Sequence, residues 1–108
     1  MPDLPPIVQS YIHASNAHDV TSILSCFAED AVVRDESATY RGKVDIEHWI
    51  ASTIEKYKFK FEPLRAETRE NKTIVAVQIS GTFPGSPVIL DYHFTIASER
   101  IASLIIDS

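Results

Sequence analysis

Hydrophobic positions in the first half of the chain repeat at intervals of three and four residues, which is typical of amphipathic helices. A first helix begins near Leu4, with prolines in its first turn, where backbone N–H groups have no intrahelical partner. A second, short helix spans Val20 to Phe27, with Asp19 as its N-cap. The clearest helix spans Lys43 to Tyr57. The inward positions are Leu4, Ile7, Val8, Tyr11 and Ile12, then Val20, Ile23, Leu24 and Phe27, then Ile46, Trp49, Ile50, Thr53, Ile54 and Tyr57.

After Tyr57 the period of the pattern changes from 3.6 to 2, which indicates strands. The first strand alternates through Phe61, and Pro63 predicts a bulge or a sheet edge there. This strand continues through residues 64–68, and further strands follow at residues 73–82, 88–97 and 101–107, separated by short polar turns. Consecutive strands joined by short turns pair as an antiparallel meander.

A shorter strand, Ala31 to Asp35, lies between the second and third helices. An acidic turn at Glu29-Asp30 reverses the chain before it, and a brief strand at Thr39-Tyr40 follows it. The order of elements predicts an α+β fold, with three N-terminal helices packed on one face of a strongly curved antiparallel sheet. Because the last strands leave neither face polar, we expect a second copy to cover the other face, forming a homodimer through the sheet.

Composition limits the classes of function. A chain of 108 residues with a hydrophobic fraction of 44% is a globular protein with a single domain, residues 1–108. Its formal charge of −5 and its scattered basic residues exclude nucleic acid and anionic membranes as partners. No apolar run is long enough to span a bilayer, and the N-terminus lacks the basic start of a signal peptide. We therefore expect a cytoplasmic protein.

The sequence contains no pattern typical of a metal or cofactor site. Cys26 is the only cysteine, which excludes an internal disulfide, and its apolar surroundings favour a buried thiol. The histidines do not have metal-ligand spacing. The glycines do not form a phosphate loop. These residues are His13, His18, His48 and His93, and Gly42, Gly81 and Gly85. We expect neither a metal nor a cofactor.

Asp35 is the strongest candidate for chemistry. Side chains alternate between the faces of a strand, so Ala31, Val33 and Asp35 share one apolar face. A carboxylate in such surroundings loses hydration, and its pKa rises into a range useful for a base near neutral pH. The alternative is an ordinary aspartate in solvent at the end of a strand.

Several segments together resemble the nuclear transport factor 2-like superfamily, in its SnoaL-like and ketosteroid-isomerase-like branch. These segments are Tyr11-Ile12, Asp19-Val20, the stretch Phe27 to Asp35, and Arg41 to Ile46. The resemblance implies a cone in which a bent antiparallel sheet wraps a long helix around an apolar pocket. It also implies that Asp35 is the base and that Tyr11 is the oxyanion-hole tyrosine. The side chains expected to line the pocket are Trp49, Phe61, Tyr92, Phe94 and Val33.

One departure from the resemblance concerns the second acid of a ketosteroid-isomerase oxyanion hole. Phe94 occupies that place, and no acid is available on the pocket side of its strand. Asp91 and His93 have the opposite parity, so we expect them at an interface or in solvent. Since the loss of one oxyanion donor costs roughly 10²–10³ in rate, efficient steroid-type isomerisation is not expected.

Two classes of function follow. In the first, the protein is a cofactor-independent acid–base enzyme, an isomerase, cyclase or dehydratase acting on a small apolar carbonyl compound through Asp35 and Tyr11. In the second, the same pocket belongs to a non-catalytic ligand-binding or dimerisation module, in which the two side chains orient a ligand. A protein-binding adaptor is a third class, for which no surface pattern is present.

Overall fold

Three helices and six strands make up residues 2–108, the part of the chain that this computed structural model describes. Met1, the first residue of the expected domain, lies outside it. The helices are α1 (Pro6–Asn16), α2 (Val20–Ser25) and α3 (Gly42–Tyr57). The strands are β1 (Phe27–Asp35), β2 (Ala38–Arg41), β3 (Lys60–Arg69), β4 (Lys72–Ser80), β5 (Val88–Ala97) and β6 (Arg100–Asp107). No helix among these residues has both the length and the hydropathy needed to cross a bilayer.

The ends of the helices follow from local chemistry. Pro6 begins α1, and the carboxylate of Asp19 accepts a hydrogen bond from the backbone N–H of Ser22 at 3.2 Å, which caps α2. The last residue of α1, Asn16, is fastened to β3 through both groups of its amide. Its Oδ1 accepts from the Phe61 backbone N–H at 2.7 Å, and its Nδ2 donates to the Phe61 carbonyl at 2.9 Å. These bonds fix α1 across the sheet.

The six strands form one curved sheet in the order β2-β1-β6-β5-β4-β3. The predicted meander from β3 to β6 is confirmed, because every neighbouring pair in it is antiparallel. The register shifts at Pro63 in the edge strand β3, as the proline predicts. The expectation of a wholly antiparallel sheet is wrong in one place: β1 pairs with β6 in parallel. This pairing places Asp35 beside the last strand.

The boundary between α2 and β1 also differs from the prediction. The acidic pair Glu29-Asp30 does not form a turn but lies within β1, at an irregularity in its pairing with β6. Phe27 begins the strand instead of ending the helix. The Ile101 backbone N–H donates to the Cys26 carbonyl at 2.8 Å, so that β6 draws this segment into the sheet. A hydrogen bond to a distant strand has overridden the local helical pattern.

The two faces of the sheet differ in burial. The helices cover the inner face, where the strands contribute the fully buried Val33, Val75, Phe94 and Leu104. On the outer face, Ile74, Ile89 and Ile105 remain exposed. The outer face is therefore mixed in character, with large apolar side chains interspersed with polar ones.

Candidate active site

Asp35 is the last residue of β1 and leads into a two-residue hairpin turn. Glu36 and Ser37 occupy this turn with φ values of 52° and 68°, and Asp35 pairs with Ala38 across it. The carboxylate is half-buried. Its Oδ2 accepts a hydrogen bond from the indole Nε1–H of Trp49 at 3.0 Å. The turn and α3 therefore hold the acid from two sides.

Burial raises the pKa of Asp35 above its ordinary value, and the negative charge of Glu36 adds to the rise. The Trp49 hydrogen bond opposes this rise, because it stabilises the charged form. The Asp35 carboxylate therefore binds a proton more readily than a free aspartate does. The hydrogen bond from Trp49 fixes its orientation. The sequence predicts the direction of this shift from the apolar neighbours of Asp35.

Tyr11 lies on the inward side of α1 and is only 2% exposed. Its ring packs edge-on against Phe94, with the centroids 5.5 Å apart, and against Phe27 at 5.9 Å. Burial raises the pKa of the phenol, and interaction with the Ser15 hydroxyl, one helical turn further on, opposes the rise. A phenol with a raised pKa stays neutral at ordinary pH, so Tyr11 is a hydrogen-bond donor.

A cavity of about 290 Å³ lies between α1, α3 and the inner face of the sheet. The candidate residues Tyr11, Asp35, Trp49, Phe61 and Tyr92 all line it. The full lining is Tyr11, Ser15, Ile23, Asp35, Glu36, Trp49, Ile50, Thr53, Tyr57, Phe59, Phe61, Ile79, Phe83, Val88, Leu90, Tyr92 and Ile106. No lysine, arginine or histidine is among these residues, so the cavity offers no cation to an anionic ligand.

Two residues expected in the pocket, Val33 and Phe94, lie in the core beneath it. Phe94 is one inward position further along β5 than Tyr92, and the Tyr11 ring stands against it. Val33 is two residues before Asp35 on β1 and is fully buried. Parity assigns a side chain to the correct face of a strand, but its depth along the strand decides whether it reaches a cavity.

Sequence reasoning missed two features of the site. It treated Trp49 as a wall, whereas its N–H is the direct partner of Asp35. It also did not identify Ser15, although the spacing of four residues from Tyr11 on one helix is a signal that could have found it. The Trp49 contact joins residues fourteen positions apart on different elements, and no local pattern predicts it.

A second group of polar side chains lies on the outer face, where Asp91, His93 and Asp107 come from β5 and β6. Asp91 and Asp107 are directly opposite each other across the two strands. The Nε2 atom of His93 lies 3.1 Å from the Oδ1 of Asp107. One ligand atom from each residue lies within 4.8 Å of the others, so within residues 2–108 this is the cluster that could ligate a metal ion. It is separate from the cavity.

Comparison with known proteins agrees with this architecture. The family model for the SnoaL-like domain matches residues 8–104. A protein of Sinorhizobium meliloti, provisionally named a polyketide cyclase, is 42% identical, with a TM-score of 0.94 over 97% of this chain and 96% of that chain. No protein in the curated set matches the sequence.

More distant structures share the fold. One is a protein of Catenulispora acidiphila with a ketosteroid isomerase-like fold, solved with trimethylamine. It is 19% identical, with a TM-score of 0.86 over 98% of this chain and 87% of that chain. Another is SalBIII, an epoxide hydrolase/cyclase-like enzyme connected with pyran ring formation in the polyether salinomycin. It is 20% identical, with a TM-score of 0.83 over 94% of this chain and 86% of that chain. These structures therefore share the predicted α+β fold with this chain.

Proposed function

The chain belongs to the SnoaL-like domain family, and we propose that it is a cofactor-independent acid–base enzyme acting on a small, neutral, apolar carbonyl compound. One observation carries this proposal: the carboxylate of Asp35, held by Trp49, and the phenol of Tyr11 line the same apolar cavity. The relative named a polyketide cyclase supports a ring-forming or isomerising reaction.

Asp35 acts as the base. It takes a proton from the carbon next to the carbonyl, and the electron pair of that C–H bond moves to form an enolate. Tyr11, which is neutral, donates a hydrogen bond to the developing oxyanion. The protonated Asp35 then returns the proton at another carbon in an isomerisation or to a departing hydroxyl in a dehydration. In a cyclisation the enolate carbon attacks a second carbonyl of the same molecule, the electron pair of that C=O bond moves to its oxygen, and the resulting alkoxide takes the proton back from Asp35.

The cavity restricts the substrate. Its volume of about 290 Å³ and its mostly aliphatic and aromatic lining suit a molecule of one or two rings. The two acids Asp35 and Glu36 at its edge, with no cation in the lining, disfavour carboxylates and phosphates. A neutral ketone fits both conditions.

A matched pair of variants tests the proposal. The probe is 2-tetralone, whose α-proton exchange in D₂O is followed by ¹H NMR. We expect the wild-type protein to accelerate exchange over buffer and Asp35→Asn to lose about 10²–10⁴ of the acceleration, because the amide cannot accept the proton. The control, Asp91→Asn, removes an acid from the outer face and should retain the wild-type rate.

The alternative function predicts a different result. A non-catalytic binding module would bind 2-tetralone, seen as shifts of the Trp49 and Tyr11 resonances, without exchange above buffer. Exchange that persists in Asp35→Asn would contradict the role of Asp35 as base. Near-UV circular dichroism of each variant verifies that its aromatic packing is intact.

We also propose that a second copy of the chain covers the outer face of the sheet. The exposed Ile74, Ile89 and Ile105 lie on this face, and their apolar area in water disfavours the isolated monomer.

A further inference from the structure

Tyr92 occupies the cavity as a second phenol. It comes from β5 on the inner face, is 4% exposed, and lines the cavity together with Tyr11 and Asp35. Sequence reasoning treated it only as an apolar wall and found no second donor to accompany Tyr11. The structure shows that the strand on which a second acid is missing carries a phenolic O–H at a neighbouring inward position.

The two tyrosine rings are neighbours on the lining of the cavity. Their centroids lie 6.4 Å apart, with an angle of 50° between the ring planes. An O–H donor needs to lie about 2.7 Å from its acceptor oxygen, and both phenols line the one cavity in which a substrate oxygen would lie. Phe61 packs edge-on against Tyr92, with the centroids 5.6 Å apart, and limits the movement of the ring.

The electrostatics agree with a donor role. Burial raises the pKa of Tyr92 well above its ordinary value, and the neighbouring Tyr11 and Asp35 raise it further. For Tyr92, unlike Tyr11, no hydrogen bond within residues 2–108 opposes the rise. The phenol of Tyr92 is therefore neutral and keeps its proton. It also lies near the negative charge of the Asp35 carboxylate.

We propose that Tyr92 is a catalytic residue, the second hydrogen-bond donor to the substrate oxygen that Tyr11 also binds. This inference rests on the proposed function and deepens it, because it defines the substrate as a neutral compound with one carbonyl oxygen between two phenols. As Asp35 takes the α-proton, the negative charge forms on that oxygen. Both phenols then shorten their hydrogen bonds without giving up a proton. Tyr92 thus supplies, beside Tyr11, the second hydrogen bond that the missing acid would donate.

The experiment measures oxyanion binding separately from proton transfer. The probe is 4-nitrophenolate, a stable oxyanion followed by its absorbance, and the protein is Asp35→Asn, in which no carboxylate at that position repels the anion. Adding Tyr92→Phe should weaken phenolate binding about tenfold, and adding Tyr11→Phe should do the same, because each removes one charge-assisted hydrogen bond. The control variant Tyr40→Phe, outside the cavity lining, should leave binding unchanged.

A second probe distinguishes the hydrogen bond donated by Tyr92 from the packing of its ring against the ligand. The neutral ether 4-nitroanisole fills the same space without an oxyanion, and its affinity should not change in Tyr92→Phe. Equal weakening of both probes, or unchanged phenolate affinity in Tyr92→Phe, would overturn the inference. So would the absence of phenolate binding in Asp35→Asn.

A third measurement avoids the Tyr92 substitution, in case it disturbs folding. In the Asp35→Asn protein, the tyrosines are labelled with ¹³C at Cζ. Adding 4-nitrophenolate should shift the resonances of both Tyr92 and Tyr11 and leave that of Tyr40 unchanged. A shift confined to Tyr11 would contradict the second donor. Since none of these readouts uses Asp35 as a base, their failure is distinguishable from loss of α-proton exchange, which tests the proposed function itself.

Discussion

The two faces of one sheet carry acids in contrasting surroundings. On the inner face, Asp35 is half-buried at the edge of an apolar cavity, and one indole N–H holds it. On the outer face, Asp107 is 57% exposed and pairs with His93, whose side chain is 36% exposed. Burial raises the pKa of the inner carboxyl, whereas water weakens the outer pair. Both residues are aspartates, so the contrast between them comes from solvation and not from residue type.

This contrast describes the single chain, and a partner on the outer face would change the solvation of the acids there, so the largest expected effect concerns association. If a second copy covers this face, Ile105→Asp should weaken self-association about 100-fold, because it places a charge in an apolar contact twice in a symmetric dimer. Sedimentation velocity over a micromolar concentration series measures this. The control Val44→Asp introduces the same charge at an aliphatic residue that is 67% exposed on α3, and it should leave association unchanged.

A wild-type protein that sediments as a monomer across this series would contradict the dimer. The outer cluster would then be a solvated surface, and the contrast between the two faces would stand as described.

A smaller effect tests how the inner acid is held. Trp49→Phe keeps an aromatic ring in the cavity but removes the N–H donor to Asp35. Since that hydrogen bond lowers the pKa of Asp35, its loss should raise the pKa further and move the acidic limb of the exchange profile to higher pH. We expect the rate of 2-tetralone exchange to fall on this acidic limb, because more of the Asp35 carboxyl is protonated there. The pH–rate profile checks this, with Tyr40→Phe as the control, and an unmoved limb would show that the bond does not tune the acid.

The smallest expected effect is on the free energy of unfolding, to which Asp35 and Asp107 contribute differently. The folded pKa of Asp35 lies above its unfolded value, so the folded state loses stability as pH rises from the unfolded pKa through the folded one. Asp35→Asn removes this loss and should raise the free energy of unfolding at neutral pH. Asp107→Asn removes an exposed pair and should lower it by less than about 1 kcal/mol.

Urea denaturation of both variants at neutral and at acidic pH measures these differences. The gain of Asp35→Asn should shrink as pH falls below the unfolded pKa, where the wild-type acid is protonated in both states. A gain independent of pH would mean that the substitution acts through packing and not through charge.

Local patterns determined the regular elements of this chain. The three-four spacing from Lys43 to Tyr57 predicts α3 within one residue of its observed bounds, and the period of two predicts the meander from β3 to β6. These predictions succeed because helix and strand periodicity are properties of neighbouring residues, which any buried face imposes. The same rule predicts that the side chains of Asp35 and Tyr11 face inward. Their proposed roles came from the resemblance to a known family.

Tertiary structure decided what depends on residues far apart in the chain. Pairing with β6 turned Phe27 into a strand residue and made β1 parallel to it. Packing of α3 on the sheet brought the Trp49 N–H to Asp35, and the depth of each position along its strand excluded Val33 and Phe94 from the cavity while admitting Tyr92. The sequence specifies which face a side chain takes. Distances between elements, and therefore hydrogen bonds and solvation, exist only once those elements have packed.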